Sequence, residues 1–533
     1  MFTIERDINL AFQIHLMAEK NPDIPILTFE NHGHADELLT YGELVRKGNY
    51  LSGVIRSAGI CRGEAFAVVM KNQPEIIIAL YAALVTGTVM VPLDPRFGWE
   101  KLAYPLRHSQ AKGILFSAEH EESIENALSV LPDIRVLVVT HTESSSITAD
   151  APHTALADIV ADSAARSVMP GKKQAGDHAM ILYTSGTTGI PKGVRIRTES
   201  FYQYLAMAAR VFQYTPHDRL YTGLPLTHGN AYSVTVVPSL IFGMPAVISR
   251  DVDTKRIWDI CRRYNCTTFS LLGGLAADVY REPERPDDAS NPVRKVISAG
   301  TPRHIWKAFE QRFNVVIHEW YGTLEGGAAH NPPGVGPTGS FGKPIEDHLE
   351  MKVAGENGTE CRPGEIGELM FRFRDGKTVV EYQKNPFPAE NQASNGWLRT
   401  GDMVHQDHDG WFFFDYRKGQ SLRRRGEFIS ADDVERVFLS HPEVREVCVY
   451  GIAAASGAPG EHDMVAALLP QLGITPDVSG IFEFCAARLP ASSVPSYIQL
   501  VDSIPRTPTE KVIRRLLKED FEAESPCVYR FNG

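Results

Sequence analysis

Cysteine is scarce in this chain of 533 residues. The seven cysteines include no Cys-x-x-Cys pair and are too widely spread for a disulfide scaffold. We therefore expect free, buried thiols at these positions, which are Cys61, Cys261, Cys266, Cys361, Cys448, Cys485 and Cys527.

Positive charge is also in short supply. The 54 lysines and arginines are outnumbered by 65 acidic residues, which gives a formal charge of -11. Nucleic-acid binding needs a basic face that displaces counterions, and the chain has no long basic run. We therefore expect no nucleic-acid partner, and any polyanionic ligand must be held by local groups.

Signals for secretion and for membrane insertion are lacking as well. The segment Met1–Asp7 has no basic stretch followed by an apolar core, so we expect no secretory signal and a cytoplasmic location. The apolar stretch Ile76–Leu93 follows Pro74 and is interrupted by Thr86-Gly87-Thr88. We predict a buried helix followed by a strand at Val89–Leu93, and no membrane span.

Short apolar segments alternate with helix-length segments in the first three hundred residues. This pattern predicts an α/β fold with layered, largely parallel sheets in a large amino-terminal domain at 1–417. A change to short strand-like runs with Gly/Asp turns predicts a small β subdomain at about 340–416. The predicted strands are Ala65–Met70, Gly113–Phe116, Val136–Val139, Ala179–Tyr183, Thr267–Leu272, Val296–Ala299, Val315–His318, Glu365–Phe373 and Trp411–Phe414.

The sequence pattern changes again near Lys418 and predicts a small α+β domain at 421–533 after a hinge at 418–420. The chain after Phe521 is expected to be loosely held. The predicted elements of this domain are a helix that starts at Ser430, strands at Val447–Ile452 and Val465–Leu469, and a helix around Ile481–Leu489.

The segment Tyr183–Gly193 reads Tyr-Thr-Ser-Gly-Thr-Thr-Gly-Ile-Pro-Lys-Gly and has the composition of a phosphate-binding loop. Its glycines allow backbone N–H groups to turn toward an anion, its hydroxyls add donors, and Lys192 adds a positive charge. It is not a Walker loop, because Pro191 precedes the lysine and Gly193 follows it. The chain is therefore predicted to bind a nucleotide through another architecture.

Further segments carry polar side chains that suit a nucleotide. Tyr321–Glu325 ends in a carboxylate suited to holding Mg²⁺ against a phosphate, and Arg399–Asp402 ends in one suited to a pair of ribose hydroxyls. Arg417 precedes the predicted hinge, and Lys511 lies far along the chain. Taken singly, each of these residues also fits a surface acid or a solvated charge.

The order and spacing of these segments resemble the adenylate-forming superfamily, which includes acyl-CoA synthetases, peptide-synthetase adenylation domains and firefly luciferase. The resemblance extends from Leu39–Leu44 to Lys511 and is most specific at the phosphate loop and at Arg399–Asp402. It implies that a carboxylate attacks the α-phosphorus of ATP and expels pyrophosphate, and that a thiol then attacks the acyl adenylate. It also implies a mobile carboxyl-terminal domain that rotates between the two steps.

The resemblance assigns roles to individual residues. The implied catalytic set is Lys511, which would bridge the carboxylate and the α-phosphate, with Glu325 as the Mg²⁺ ligand, Thr184 and Lys192. The implied nucleotide set is Thr184, Ser185, Gly186, Thr187, Thr188 and Lys192 on the phosphates; Ser298, Ala299, Gly300, Thr301 and Pro302 along adenine; Tyr321, Gly322, Thr323 and Leu324; and Asp402 and Arg417 on the ribose. The implied acyl pocket is His228, Leu271, Leu272 and Gly273, and the implied CoA site is Arg423, Arg424, Arg425 and Gly426.

Four positions depart from the pattern of that superfamily. Leu324 stands where a phosphate-binding threonine is usual, and the neighbouring Thr323 would need a shifted backbone to replace it. Gly419 replaces a hinge aspartate, Glu510 replaces the glycine before the lysine, and Phe428 replaces a small or polar residue. No charged residue of the implied catalytic set is lost, so we expect the reaction class to be retained.

The segment Ala231–Val236 contains no acidic residue, which disfavours an amino acid as substrate. The short stretch after Lys511 leads us to expect no carrier domain and CoA as the acceptor. The predicted function is an AMP-forming acid:CoA ligase that uses ATP, Mg²⁺, CoA and a small organic or fatty acid, similar to bacterial ligases of the crotonobetaine/carnitine type. The alternatives are a ligase that loads a separate carrier protein and a non-catalytic nucleotide-binding relative. The acid stays open, as does the oligomeric state, including a homodimer.

Overall fold

The chain is divided into two compact units, which are described here one at a time. The first comprises Met1–Glu350 and Arg372–Leu398, and the second comprises Met351–Phe371 and Arg399–Gly533. The predicted domain boundary at residues 418–420 stays a prediction. The structure, a computed structural model, describes residues 9–96, 98–131, 133–140, 170, 177–184, 191–345, 348–355, 358–374, 381–383, 396–418, 422–424, 427–429, 431–453, 462–490, 493–506 and 512–531.

Two sheets form the frame of the first unit. The first sheet has the spatial order β15 (Ser340–Pro344), β14 (Ala328–Asn331), β13 (Val316–Gly322), β12 (Lys295–Ala299), β11 (Thr268–Leu272), β9 (Leu220–Thr222), β10 (Ala246–Ser249), β1 (Pro25–Glu30) and β2 (Glu37–Thr40). The second sheet has the order β18 (Glu381–Tyr382), β8 (Lys192–Arg197), β7 (His178–Thr184), β4 (Val89–Leu93), β3 (Ala65–Val69), β5 (Gly113–Ser117) and β6 (Arg135–Thr140).

The neighbouring strands are largely parallel, as predicted. Within the first sheet, β9 pairs in parallel with β10 and β11, and β12 pairs in parallel with β11 and β13. Antiparallel pairs include β7 with β8 and β13 with β14. The helices of this unit are α1 (Leu10–Lys20), α2 (Tyr41–Ser57), α3 (Pro74–Thr86), α4 (Trp99–Ser109), α5 (Glu121–Ser129), α6 (Thr198–Val211), α7 (Val237–Phe242), α8 (Ile257–Tyr264), α9 (Gly273–Arg281) and α10 (Arg303–Phe313), with a 3₁₀ turn at Ala118–His120 and a π-helical turn at Ala231–Val236.

Strand β3 shows why these segments read as continuous apolar runs. Phe66 and Val68 point into the larger core of the first unit, whereas Ala67 and Val69 point into a second core with Leu102 of α4. Because side chains alternate between the two faces, a strand with both faces covered is apolar at every position. Burial on both faces therefore explains the continuous apolar runs from which the sequence predicts parallel strands.

The apolar stretch Ile76–Leu93 folds as expected. Pro74 occupies the first turn of α3, and Gly87 ends the helix in the left-handed conformation with φ 72°. Every residue of the following strand, β4, is buried. No helix in the described part of the chain is long and apolar enough to cross a membrane. The cytoplasmic location stays a prediction.

Within its described residues, the second unit combines short strands with three helices, as an α+β domain should. Neighbouring strands β16 (Leu349–Ala354), β17 (Gly367–Phe373), β19 (Leu398–Gln406) and β20 (Phe412–Arg417) precede a hairpin of β21 (Leu422–Arg424) and β22 (Glu427–Ile429). A second sheet follows in the order β23 (Val444–Ala453), β24 (His462–Pro470), β25 (Tyr497–Leu500) and β26 (Val528–Arg530), with helices α11 (Ala431–Leu439), α12 (Val478–Ala486) and α13 (Arg514–Glu519).

Two sequence predictions are corrected by the fold. The chain after Phe521 is not loosely held, because β26 pairs with β25 and the ring of Phe531 packs on Phe482 at 5.1 Å between centroids. The expectation of buried thiols is wrong for Cys61 and Cys527, which are exposed, and Cys361 is only partly buried. All seven cysteines are free, as predicted.

Candidate active site

Strands β7 and β8 form the two sides of the predicted phosphate loop. Their antiparallel register pairs Tyr183 with Gly193 and Thr184 with Lys192. The hydroxyl of Tyr183 donates to the carbonyl of Pro105 at 3.1 Å, which anchors the loop base on α4. The structure thus places Lys192 opposite the end of β7. The other predicted residues of this loop, Ser185, Gly186, Thr187 and Thr188, lie outside the described residues.

One hydrogen bond links Glu325 to a residue that is paired with this hairpin. The hydroxyl of Tyr382 donates to Glu325 Oε1 at 2.6 Å. Tyr382 itself belongs to the two-residue strand β18 and pairs with Val194 of β8, two residues from Lys192. Tyr382 therefore links the predicted metal-binding carboxylate to β8, the strand that begins with Lys192.

Leu324 and Thr323 have local packing and hydrogen-bonding roles. Leu324 packs against a small apolar cluster that contains Val194 and Tyr382. A Cβ added to Gly229 would lie only 2.8 Å from Leu324 Cδ2, so the leucine fills the space beside that glycine. Thr323 Oγ1 accepts a hydrogen bond from the N–H of Gly327 at 3.1 Å. The threonine hydroxyl is thus already engaged in its own turn.

The segment Ser298–Pro302 is held by a buried carboxylate that the sequence did not reveal. Glu319 accepts hydrogen bonds from the N–H groups of Gly300 and Thr301, the latter at 3.2 Å to Oε1. Thr301 Oγ1 donates to Ser298 Oγ at 2.6 Å. Burial raises the pKa of Glu319 to about 7, although these hydrogen bonds favour its charged form. Glu319 therefore fixes the backbone of the predicted adenine loop.

The same loop is in tight contact with the start of α9. A Cβ on Gly273 would overlap the carbonyl of Gly300, with the carbonyl carbon 2.7 Å away. Gly300 has a φ of +86°, which also favours glycine. Tyr321, predicted to stack on adenine, lies against Phe341 with ring centroids 4.8 Å apart. The start of α9 and the loop after β12 thus meet through two glycines.

Asp402 and Arg417 lie opposite each other in the second unit. They are register partners on β19 and β20, and Arg417 Nε is 3.5 Å from Asp402 Oδ1. The Asp402 side chain is only 8% exposed, which restricts its carboxylate to a short list of partners. Arg417 follows Asp402 by fifteen positions in the sequence, and the hairpin of β19 and β20 brings the two residues together. Their predicted role on the ribose remains a prediction.

The comparison with known proteins decides the family. Residues 15–378 match the AMP-binding enzyme family, and residues 433–511 match the AMP-binding enzyme C-terminal domain. The chain belongs to the AMP-binding enzyme family. The predicted membership of the adenylate-forming superfamily is thereby confirmed, as is the enzyme class of AMP-forming acid–CoA ligases.

Curated relatives of this AMP-binding enzyme include several acid–CoA ligases. The chain is 28% identical to a sulfoacetate–CoA ligase of Cupriavidus necator over 515 residues, covering 95% of this chain and 96% of the relative. It is 29% identical to a 2-succinylbenzoate–CoA ligase of Bacillus licheniformis, covering 90% and 95%. It is 26% identical to a crotonobetaine/carnitine–CoA ligase of Salmonella paratyphi A, covering 94% and 97%.

Solved structures share the fold of the AMP-binding enzyme over its length. An anthranilate–CoA ligase in complex with anthranoyl-AMP superposes with a TM-score of 0.83 at 20% identity, covering 97% of this chain and 98% of that one. The o-succinylbenzoate–CoA synthetase of Bacillus subtilis with ATP and a magnesium ion gives a TM-score of 0.78 at 23% identity, covering 95% and 99%. The predicted fold class is confirmed.

Glu325 offers one carboxylate for the predicted magnesium ion. It is partly exposed, and one of its oxygens is oriented by Tyr382. Within the described residues there is no group of three or more metal-ligating side chains. Mg²⁺ in nucleotide sites is commonly held by one or two carboxylates together with phosphate oxygens and water. Glu325 fits that arrangement.

The predicted acyl pocket of the AMP-binding enzyme is only partly brought together. Leu271 is 2% exposed and lines a water-sized cavity of about 10 Å³ with Tyr221 and Leu275, so its side chain faces the core. Leu272 and Gly273 follow at the end of β11, where they are less buried. His228 lies in a turn, where its N–H donates to the carbonyl of Pro225 at 3.0 Å. The pocket assignment stays a prediction.

Several predicted site residues lie outside the described residues. Arg423 and Arg424 are placed by backbone only, on β21. Arg425, Gly426, Gly419, Glu510 and the predicted catalytic Lys511 fall outside altogether. The sequence reasoning in turn missed Glu319 and Tyr382. A strand candidate just before Glu319 was a signal for the first, whereas no local pattern marks the second.

Proposed function

We propose that this AMP-binding enzyme is an ATP-dependent acid:CoA ligase. It activates a carboxylic acid as an acyl adenylate, releases pyrophosphate, and then forms the acyl-CoA thioester and AMP. The observation that carries the proposal is the link from Glu325 through Tyr382 and Val194 to β8, the strand that begins with Lys192. A cation and a carboxylate linked in this way suit a polyphosphate, which needs both a positive charge and a metal ligand.

The proposed mechanism relies on positioning and charge. The carboxylate of the acid attacks the α-phosphorus in line, and Lys192 and Lys511 are the proposed cations for the negative charge that develops on the phosphates. Magnesium, when bound at Glu325, would supply further positive charge on the phosphate oxygens. Asp402 and Arg417 hold the ribose, while the Glu319 loop presents a fixed backbone to adenine.

The second step transfers the acyl group to a thiol. The CoA sulfur attacks the carbonyl carbon of the acyl adenylate, and the bond from that carbon to the bridging oxygen breaks, so AMP leaves with the oxygen. The basic residues Arg423, Arg424 and Arg425 are the proposed contacts for the CoA phosphates, with Gly426 along the pantetheine. The proposed mobile domain at 421–533 supplies Lys511 in the first step and this basic segment in the second.

We further propose that the acid carries a second polar group. Thr227 Oγ1 and both amide atoms of Asn230 are buried and have no hydrogen-bond partner among the residues that the structure describes. They flank His228 and precede the π-helical turn Ala231–Val236, a feature often found at functional sites. Buried donors and acceptors without partners are costly unless a ligand or water satisfies them. The relatives that act on sulfoacetate, 2-succinylbenzoate and crotonobetaine or carnitine use such acids.

The experiment is a product analysis with matched pairs of acids. Purified enzyme is given ATP, Mg²⁺, CoA and acids that differ by one polar group: succinate and butanoate, anthranilate and benzoate, crotonobetaine and crotonate. We expect equimolar AMP, pyrophosphate and acyl-CoA, with the lower KM for the polar member of at least one pair. Asn230→Leu should remove that preference and leave the KM for ATP unchanged. A uniform preference for the apolar members would overturn the acid class.

Two other outcomes distinguish the alternative functions. Pyrophosphate release with the acid but without thioester formation on CoA would indicate a ligase that loads a carrier protein. ATP binding without pyrophosphate release for any acid would indicate a non-catalytic nucleotide-binding relative. The hairpin, Glu325 and Glu319 would serve nucleotide binding in each case, so it is the product analysis that separates these functions.

A further inference from the structure

We propose that Tyr382 is a positioning residue for the Glu325 carboxylate, and that the short strand Glu381–Tyr382 couples this carboxylate to the base of the phosphate loop. The inference rests on the proposed function, because Glu325 is the metal ligand only in that reaction. It concerns a residue that follows Glu325 by 57 positions in the chain. Tyr382 does not touch the reacting atoms in this account but acts through Glu325.

The contact between the two side chains is direct and sheltered. The Tyr382 hydroxyl donates to Glu325 Oε1 at 2.6 Å, and Tyr382 is 9% exposed. Its ring lies in the apolar cluster with the fully buried Val194, against which Ile196 and Leu324 also pack. A tyrosine ring enclosed on this side has little freedom to turn, so its hydroxyl is aimed at one carboxylate oxygen.

The strand that carries Tyr382 is fixed on both sides of the tyrosine. Before it, Glu381 forms an ion pair with Arg197 and a hydrogen bond with His178 Nε2 at 2.8 Å. After it, the N–H of Gln383 donates to the carbonyl of Gly193 at 2.8 Å. Gly193 is the last residue of the phosphate-loop motif. Because this two-residue strand has partners at both ends, its position is fixed more firmly than its length suggests.

The Gln383 side chain adds a link to α4. Its Oε1 accepts from Arg195 Nη1 at 2.9 Å, and its Nε2 donates to the carbonyls of His108 and Ser109, each at 3.3 Å. The strand therefore ties together β8, the end of α4 and the Glu325 turn. A shift of the phosphate loop at Gly193 is transmitted by this strand to the hydroxyl that holds Glu325.

The consequence for the metal ligand is geometric. A carboxylate on a short turn can rotate about its terminal torsion, and a hydrogen bond to one oxygen fixes which oxygen faces the metal. Outer-shell partners of this kind typically affect metal affinity or activity by about 10–100-fold. Tyr382 supplies such a bond without bringing a competing charge, because its phenol is a neutral hydrogen-bond donor.

The test is the Tyr382→Phe variant, which removes the hydroxyl and keeps the ring in its cluster. Calorimetric titration with ATP is performed in Mg²⁺ and in EDTA. We expect ATP affinity to fall about tenfold in Mg²⁺ and to be unchanged in EDTA, with a matching rise in the Mg²⁺ concentration that gives half-maximal pyrophosphate release. Equal loss of affinity under both conditions, or none, would overturn the proposal.

Two further variants complete the experiment. Tyr450→Phe is the matched control, because the Tyr450 hydroxyl donates to Gln499 Oε1 at the same 2.6 Å, in the second unit. It should leave the Mg²⁺ dependence unchanged. In Glu325→Gln background, Tyr382→Phe should have no additional effect on the Mg²⁺ dependence, because both changes act on one contact. An additive effect would contradict action through Glu325.

The outcome also separates this inference from the proposed function. Failure to release pyrophosphate with any acid would refute the ligase but leave the calorimetric comparison intact. Active wild-type enzyme with a Tyr382→Phe variant of unchanged Mg²⁺ dependence would refute the role of Tyr382 alone. Wild-type protein whose ATP binding is insensitive to Mg²⁺ would refute both.

Discussion

Glu319 shows how a single buried acid organises the candidate site. It is 2% exposed and lies on β13, one strand away from the loop that it holds. A carboxylate in this position costs desolvation, and the N–H groups of Gly300 and Thr301 offset part of that cost. We infer that the buried carboxylate is retained despite this desolvation cost, because a fixed adenine loop needs acceptors for two inward-pointing N–H groups.

The pH dependence of stability tests this role. Burial raises the pKa of Glu319 to about 7 from 4.5. Between these values the unfolded chain has released the proton and the folded chain retains it, so the contribution of Glu319 to stability falls as pH rises through this window. Glu319→Gln lacks the titration, and its stability relative to wild type should rise by roughly 2–3 kcal/mol between pH 5 and pH 8. Chemical denaturation at each pH measures it, and a constant difference would contradict the account.

Leu324 is the departure from the superfamily pattern that the structure explains best. It fills the space beside Gly229 and packs on the cluster around Tyr382, so a threonine here would lose apolar contact. We expect Leu324→Thr to lower the free energy of unfolding by about 1–2 kcal/mol and to slow pyrophosphate release. Leu324→Met, which keeps the volume, is the control. A faster first step in the threonine variant would show instead that Leu324 is a handicap.

The residues of the candidate site could be predicted from the sequence where they belong to a motif. Lys192, Glu325 and Asp402 lie in recognisable segments. The structure links Glu325 through Tyr382 to the strand of Lys192 and pairs Asp402 with Arg417. Glu319 and Tyr382 were missed because their importance comes from partners 18 or more positions away in the chain. A sequence shows which groups are present but not which backbone N–H or carboxylate they will reach.

At the scale of elements, the close approach of α9 and the loop after β12 gives a sharp prediction. Gly273→Ala places a Cβ inside the carbonyl group of Gly300, and both partners are backbone, so neither can yield easily. We expect a loss of about 1–3 kcal/mol in stability and a higher KM for ATP, because the adenine loop is displaced.

The neighbouring glycine provides the control for this effect. A Cβ added to Gly274 meets nothing within 4 Å, so Gly274→Ala should be as stable as wild type or slightly more stable. Thermal unfolding of the two variants, together with ATP titration, separates the clash from a general sensitivity of the helix start. Equal stability of the two alanine variants would contradict the close approach.

The elements that the sequence predicted are those with strong local patterns. Buried parallel strands such as β3 and β12 read as apolar runs, and Pro74 and Gly87 mark the ends of α3. Strand β18 has two residues and no pattern of its own, since its place depends on Gly193 and Val194. The strand β26 was missed for a similar reason: it exists only because β25 offers it an edge.

At the scale of the whole molecule, the role of the carboxyl-terminal domain can be tested by measuring the two half-reactions separately. We propose that Lys511 serves adenylation alone. Lys511→Ala should reduce pyrophosphate release by at least about a hundredfold while thioester formation from a supplied acyl adenylate stays near the wild-type rate. Equal loss in both half-reactions would mean that the domain does not separate the steps in this way.

The family could be recognised from the sequence because its motifs extend over nearly the whole chain. Matches at residues 15–378 and 433–511 confirm that recognition. The acid could not be predicted, because the pocket depends on side chains from several segments. The pocket shared by His228 and Leu271 stays a prediction, and the structure shows only that Leu271 lines a small buried cavity. A sequence motif does not show the shape of a pocket that is formed by side chains from distant segments.

The central claim is that the acid reacts at the α-phosphorus of ATP. Its most direct test is an oxygen-isotope transfer experiment with a substrate acid carrying ¹⁸O in both carboxylate positions, incubated with enzyme, ATP, Mg²⁺ and CoA. Mass spectrometry should find one ¹⁸O in AMP, none in pyrophosphate, and the other in the thioester carbonyl. Label in inorganic phosphate or pyrophosphate, or unlabelled AMP beside acyl-CoA, would contradict the claim.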